Sequence, residues 1–371
     1  MRGINPSYLD KLEESQRAFI LTGPGKFFAD SFLHMPAEHG YVIGPTGSGK
    51  TNKMHNLANW IKYTEVILWI SASKDHDILP LFFMGLPVNV IIPKHAGIEI
   101  TGYPGDISYS PVNTPDDVFY AIKPDHINIL EVRNAFWSED ALLDWMIQFF
   151  KTLSEGCRRG TIPRIAPSSW HGKGSKVALF LDESQWLIAG TKVTNKPKRV
   201  KATEEIAGGA LEIRTYGWRL VISSQGFTNV VPIIRENMPC VFLCVNAQVP
   251  DVPALHKHCQ PHPNLGWKPT SRYKRNEYKF VNRSGLASPN DRPLPVPLYP
   301  KRQEDRDTMA RMDIIYARRY HDQPPKEAEP EEECFPELGR FSALAIPPEV
   351  QEIYGNNRWR AEEMIPDDGR T

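Results

Sequence analysis

The stretch Gly44-Pro45-Thr46-Gly47-Ser48-Gly49-Lys50-Thr51 decides how the rest of the chain is read. It follows a short apolar run, Tyr41-Val42-Ile43, and precedes a helix-compatible segment, Asn52 to Tyr63. A glycine-rich turn between a buried strand and a helix gathers backbone N–H groups into a concave array, and the helix adds the positive end of its dipole. Such an array cradles phosphate. The spacing G-x-x-x-x-G-K-[ST] adds a lysine that reaches the β- and γ-phosphates and a hydroxyl that ligates Mg²⁺. Gly44, Pro45, Thr46, Gly47, Ser48, Gly49, Lys50 and Thr51 are therefore assigned to ATP, and Thr51 also to Mg²⁺.

Outward from this loop, residues 41 to about 245 alternate strand and helix signals. Short continuous apolar runs mark strands at Gly40–Ile43, Glu65–Ser71, Val88–Ile92, His126–Glu131, Lys176–Leu181, Trp218–Ser223 and Cys240–Val245. Helices are expected between them, at Lys50–Tyr63, Asp75–Met84, Asp116–Ile122, Asp140–Glu155, Glu204–Thr215 and Val230–Glu236. Uninterrupted apolar strands alternating with helices imply a sheet buried on both faces, hence a mainly parallel, helix-flanked α/β fold of the P-loop NTPase (RecA/ASCE-like) kind. The clearest amphipathic helix is Asp140–Glu155, with Leu142, Leu143, Met146, Phe149, Phe150 and Leu153 at helical spacing.

At 371 residues the chain exceeds the usual single domain. The expected division is a lead-in over 1–37 that packs on the core, the ATPase core over 38–250, and a Pro-rich, largely irregular C-terminal extension over 251–371. Within the extension one helix is expected at Glu304–Arg319, and an acidic run spans Lys326 to Glu333. Net charge is +0, so any nucleic-acid contact must be local. The five cysteines are scattered and odd in number, which suits a reducing compartment. With no apolar leader and no run long enough to span a bilayer, the expectation is a cytoplasmic protein, in host cytoplasm or virion-associated if viral.

A second motif, Lys176-Val177-Ala178-Leu179-Phe180-Leu181-Asp182-Glu183, is an apolar strand that ends in adjacent acids. ATP hydrolysis needs one carboxylate for Mg²⁺ and another to polarise the attacking water. Asp182 suits the first role and Glu183 the second. A third run, Arg214-Thr215-Tyr216-Gly217-Trp218-Arg219-Leu220-Val221-Ile222-Ser223-Ser224-Gln225, places a cationic turn before a strand that closes on Gln225. Gln225 is a candidate γ-phosphate or water sensor. Arg214, Arg219 and Arg235 are candidate arginine fingers for a neighbouring subunit.

Gly44–Thr51, the strand ending Asp182-Glu183, and Arg214-Thr215-Tyr216-Gly217 followed by a strand closing on Gln225 resemble the FtsK/HerA superfamily of P-loop motors. That group holds HerA-type translocases, VirD4/TraG and VirB4 conjugation ATPases and viral genome-packaging ATPases. The resemblance, over roughly 38–250, implies that Lys50 and Thr51 bind phosphate and Mg²⁺, Asp182 serves the metal, Glu183 is the catalytic base and Gln225 the sensor. It also implies a hexameric ring on double-stranded DNA, with a portal, capsid, membrane-pore or relaxase partner reached through the extension. The sequence shows no N-terminal membrane segments of the coupling-protein kind and little room before Gly44 for the HerA barrel, which favours a compact viral or mobile-element motor. A weaker resemblance is to the Zot-like assembly ATPases of filamentous phages. A slow NTP-dependent switch or scaffold acting through the acidic, Pro-rich tail is a further alternative.

Two basic segments could meet DNA. Lys192, Lys196, Lys198, Arg199 and Lys201 suit sequence-independent phosphate contact, or a solvated loop. The run Arg272 to Arg283 interleaves charges with aromatics, which suits base stacking, but the alternation favours a half-buried strand. The cluster His256-Lys257-His258-Cys259-Gln260-Pro261-His262 lacks a second ligand pair, so a loop with solvated histidines is preferred over a zinc site. Replacing Lys192, Lys196, Lys198, Arg199 and Lys201 by Ala is expected to weaken DNA binding and flatten its dependence on salt. A salt slope unchanged from the parent protein would remove this segment from the interface.

Overall fold

The computed structural model describes residues 10–316 apart from 22, 36, 72–74, 137, 190–196, 250–269, 276, 283–293 and 296. Lys192, Lys196, the 256–262 cluster and the acidic run 326–333 lie outside the described residues, as does the side chain of Lys198.

Each strand read from an apolar run forms. They are β1 (Gly40–Ile43), β2 (Val66–Ser71), β3 (Val88–Pro93), β6 (Ile127–Glu131), β7 (Val177–Leu181), β8 (Trp218–Ser224) and β9 (Cys240–Cys244). Together with β5 (Ile107–Val112), β10 (Glu277–Asn282) and β11 (Leu294–Pro295) they make one sheet in the order β11-β10-β9-β1-β8-β7-β2-β6-β3-β5. Pairings from β9 through β5 are parallel, and β10 and β11 join antiparallel.

Alternation along each strand sends neighbouring side chains to opposite layers. Tyr41 and Ile43, Leu68 and Ile70, and Leu179 and Leu181 pack in one layer. Val42, Ile67, Trp69, Ala178 and Phe180 pack in the other. The helix Glu139–Arg159 covers the first layer through the six apolar residues the pattern named. It runs past the expected ends because Ser138 caps its start, Oγ accepting from Ala141 N at 3.1 Å, and Gly160 ends it at φ 68°.

The P-loop helix Lys50–Ile61 covers the second layer, beside the N-terminal segment. That segment gave no period in the sequence, yet it forms helices at Glu14–Leu21 and Gly23–Phe28 and a wide turn at Ala29–Leu33. Phe28 and Phe32 meet Phe242 of β9 edge to face, so the segment packs on the core.

Several expectations are corrected. The helix read as Glu204–Thr215 spans Pro197–Glu212 and tightens into a 3₁₀ turn at Ile213–Tyr216, so Lys198, Arg199 and Lys201 sit on a helix, not a loop. Asp75–Met84 is a 3₁₀ segment, Asp75–Phe83, because Pro80 inside it cannot donate to an α ladder. The helix expected over Glu304–Arg319 is Gln303–Met309 only. The chain then extends as β12 (Asp313–Tyr316), which pairs with β4 (Ile98–Thr101) in a separate small sheet. Strands β4 and β5 escaped the reading since polar residues interrupt them, Glu99 in the first and Ser108 and Ser110 in the second, so neither is an apolar run. A strand forms over Glu277–Asn282, but it is not the half-buried edge strand preferred for Arg272–Arg283: it lies between β9 and β11, Tyr278 and Phe280 join the second layer, Val281 joins the first, and Lys279 is only 2% exposed.

The edge of the sheet opposite the P-loop is fastened by Arg219, whose side chain is 0% exposed. Its Nε donates to both Glu65 carboxylate oxygens at 3.1 and 3.0 Å and its Nη2 to Oε1 at 2.6 Å. Nη1 and Nη2 also donate to the carbonyls of Phe32 (2.7 Å) and Met35 (3.0 Å). The pair therefore ties β8 to the start of β2 and to the N-terminal segment. Arg219, named as a possible trans finger, is excluded from that role by burial. Glu65→Ala leaves a buried cation uncompensated and is expected to cost about 3–5 kcal/mol in urea unfolding. The double variant Glu65→Leu/Arg219→Met is expected to cost much less; equal losses would contradict an ion-pair origin.

Candidate active site

Strand β1 delivers the P-loop at the C-terminal edge of the parallel sheet, where ligands bind in open α/β folds. The loop closes through a hydrogen bond from Ser48 N to the Pro45 carbonyl at 3.2 Å. Gly47 (φ 78°) and Gly49 (φ 90°) take left-handed conformations that an L side chain rarely adopts. The turn is thus tight, with left-handed backbone at both glycines.

The assigned side chains come together. Lys50, only 4% exposed, folds back over the loop, its Nζ 3.2 Å from the Pro45 carbonyl and 3.3 Å from Glu183 Oε1. Thr51 Oγ1 donates to Asp182 Oδ2 at 2.7 Å. Gln225, exposed just past the end of β8, donates from Nε2 to Glu183 Oε2 at 3.3 Å. The sequence brought these residues from separate segments; strand order makes them neighbours, since β8 lies between β1 and β7.

Strand register adds residues that the sequence did not flag. Leu181 pairs with Ile222, so Asp182 and Ser223 follow side by side. Ser223 Oγ–H donates to Asp182 Oδ1, and the same oxygen accepts from Glu183 N at 3.0 Å. Ser184 Oγ donates to the Ser223 carbonyl at 2.8 Å. Gln185 Nε2 donates to Glu183 Oε2, beside Gln225. Below the loop, Tyr41 OH bonds Ser224 Oγ at 2.6 Å and the Gly226 and Phe227 carbonyls at 3.2 Å, fixing the turn that carries Gln225. The only signal for Ser223 was the switch from apolar to polar at the end of the strand.

Glu183 itself sits at φ 49°, ψ 46°. A non-glycine residue there costs about 1–3 kcal/mol and persists only where surroundings over-determine it. Here Asp182 Oδ1 and Ser223 Oγ hold its N–H. The strain turns the Glu183 carboxylate toward Lys50 and Gln225 while Asp182 faces Thr51.

Asp182 is 2% exposed, and burial holds its carboxyl above the usual range against the opposing pull of the Ser223 and Thr51 hydrogen bonds. The residues fit a Mg-nucleotide. Thr51 Oγ1 and Asp182 form an oxygen donor set, and Ser48 Oγ is buried in the loop without a hydrogen-bond partner. Among the described residues no other cluster of acids, histidines or cysteines has metal-holding geometry, and no helix is long and apolar enough to cross a membrane.

Arg214 falls elsewhere. It precedes β8, at the N-terminal edge of the sheet, and its Nη2 pairs with Glu38. The turn it opens ends at Gly217, φ 87°, where a Cβ would lie 1.9 Å from the Ser175 carbonyl, so only glycine fits. Arg235 lies over the Phe227 ring at 5.1 Å. Arg199 pairs with Glu139 at 2.8 Å, and Lys201 is exposed.

A carboxyl raised by burial favours the fold in its protonated form. That contribution is complete below the unfolded carboxylate pKa, about 3.9, and is lost as pH rises through the higher folded value. Asp182→Asn is therefore expected to raise the thermal midpoint at neutral pH by a few degrees, measured without nucleotide or divalent cation, and to flatten its dependence on pH. A variant no more stable than the parent at pH 7 would contradict this account.

No protein-family profile matches the sequence, and no curated protein sequence matches it. Among solved structures, the chain is similar to the genome packaging NTPase B204 from Sulfolobus turreted icosahedral virus 2 in complex with AMP, at 11% identity and TM-score 0.36, over 67% of this chain and 94% of that one. It is similar to EssC (ATPases 2 and 3) from Geobacillus thermodenitrificans at 10% identity and TM-score 0.38, over 74% and 43%. It is similar to the pCW3 conjugation coupling protein TcpA at 10% identity and TM-score 0.35, over 74% and 65%. The fold assignment rests on this chain's own strand order and loop geometry. The Arg-x-x-Gly turn, a strand closing on Gln, a helix (Pro232–Glu236) and a further strand follow one another as the FtsK/HerA resemblance implies. The chain is an α/β protein with the P-loop NTPase fold.

Proposed function

We infer that this chain hydrolyses ATP with Mg²⁺ and spends the energy moving DNA, as one subunit of a ring. The observation that carries the enzymatic part is the convergence of Lys50, Thr51, Asp182, Glu183 and Gln225 on one edge of the sheet. In the reaction a water oxygen bonds to the γ-phosphorus, the bond to the β–γ bridging oxygen breaks, and ADP leaves with that electron pair. Glu183, aimed by its strained backbone, takes the water proton on Oε2, with Gln225 holding the water. Lys50 shifts its Nζ from Glu183 to the β- and γ-phosphates, which frees that carboxylate for its role. Thr51 Oγ1 and Asp182 would hold a divalent cation, which would neutralise phosphate charge when bound.

DNA as the substrate is supported by the FtsK/HerA resemblance of the Arg214…Gln225 run. For a ring, a neighbour's arginine would complete the site, and Arg214, half-exposed at the far edge of the sheet, and Arg235 are the candidates. Lys201 is an exposed basic residue left for phosphate contact, with Lys192, Lys196 and Lys198; Arg199 is held by Glu139. Packaging or transfer of a viral or mobile-element genome is the role we favour, with portal, capsid, membrane-pore or relaxase partners reached through the C-terminal extension.

Steady-state ATPase rates with and without double-stranded DNA test this reading, with Lys50→Ala as the blank. Stimulation by DNA is expected, and Glu183→Gln is expected to bind ATP while turning over about 10²–10⁴-fold more slowly. A rate abolished in the blank yet indifferent to DNA would replace this reading with a protein-moving ATPase.

A further inference from the structure

Strand β10, next to last in the sheet, is entered from the nucleotide cradle itself. A Cβ built on Gly49 would meet the main-chain carbonyl of Arg275 at 2.7 Å, so the turn before β10 rests on the last glycine of the P-loop. That turn is anchored at the end of β9, where Asn246 N donates to the Thr270 carbonyl at 3.0 Å and Thr270 Oγ1 to the Ala247 carbonyl at 2.8 Å.

Beyond the turn the chain stays on the P-loop helix. Lys53 Nζ lies 3.3 Å from the centre of the Tyr278 ring. Asn52 and Asn56 donate to the Pro297 carbonyl at 3.0 and 2.9 Å, and Tyr299 N donates to Asn52 Oδ1 at 2.9 Å. The turn is therefore held to the loop from both sides.

It carries Arg272, Lys274 and Arg275, all exposed, in a chain of nil net charge. Among the described residues no carboxylate pairs with Arg275. The loop it touches already holds a polar atom without a partner, Ser48 Oγ, in a residue 2% exposed. A guanidinium is a planar fork suited to paired phosphate oxygens, and a polyphosphate carries more charge than Lys50 alone offsets.

We propose that Arg275 is a further nucleotide-binding residue, a cation delivered in cis to the polyphosphate by the turn that rests on Gly49. This rests on the P-loop binding a nucleoside triphosphate. It gives β10 a role beyond covering β9: it fixes the register at which the arginine meets the cradle. The requirement for glycine at position 49 then includes admitting the Arg275 backbone.

The test is calorimetric binding of the Mg complex of a non-hydrolysable ATP analogue to the full chain and to Arg275→Ala, Arg275→Lys and a distant exposed control, Arg158→Ala. Arg275→Ala is expected to raise Kd about tenfold, the loss of one charge-assisted contact. It should also raise KM for ATP with little change in kcat, and reduce the salt dependence of binding. The thermal midpoint should not move, because the side chain is exposed. Arg275→Lys should recover part of the affinity, that of the charge without the fork, and Arg158→Ala should match the parent. An unchanged Kd in Arg275→Ala, or equal losses in the Ala and Lys variants, overturns the proposal while leaving the nucleotide site intact. No binding by the parent chain overturns both.

Discussion

The hydrogen bond from Thr51 Oγ1 to Asp182 Oδ2 joins the start of the P-loop helix to the end of β7, across the strand that separates them. It draws a carboxylate into a site that is nearly closed to water, where ionisation is disfavoured. Everything near it serves to hold that charge. Ser223 donates to it, Glu183 N–H leans on it, and Lys50 sits against the adjacent acid. A buried acid of this kind is a poor contributor to stability and a good place for a divalent cation. The strained backbone of Glu183 belongs to the same arrangement: two consecutive acids meet different partners at one site, Asp182 at Thr51 and Glu183 at Lys50.

The two edges of the sheet are fastened by different chemistry. At the far edge, Arg219 and Glu65 form a buried pair that also captures carbonyls of the N-terminal segment. At the P-loop edge the fastening is looser: a lysine over an aromatic ring, two asparagines on backbone carbonyls, a turn resting on a glycine. These contacts link the nucleotide cradle to segments far along the chain.

The apolar runs and the P-loop spacing were legible because both depend on local pattern. A strand buried on both faces must be apolar throughout, and a phosphate cradle must have its glycines at fixed intervals. The helix Glu139–Arg159 was legible for the same reason, down to the side chains it buries. What eluded the sequence had no local pattern to give. Strands β4 and β5 are interrupted by polar residues, β12 hid inside a helical-looking run, and the N-terminal helices have too little amphipathic period.

For the site, the sequence by itself determined the chemical parts: a phosphate loop with its lysine and hydroxyl, a strand ending in two acids, and a strand ending in glutamine. Residue type and spacing suffice for that, since they set which functional groups stand at strand ends. The tertiary structure alone decided who meets whom. Register placed Ser223 against Asp182, and strand order set Gln225 against Glu183. Burial took Arg219 from the pool of free arginines, and the return of β10 put Arg275 beside Gly49. Those outcomes depend on contacts between residues distant along the chain, which no local pattern encodes.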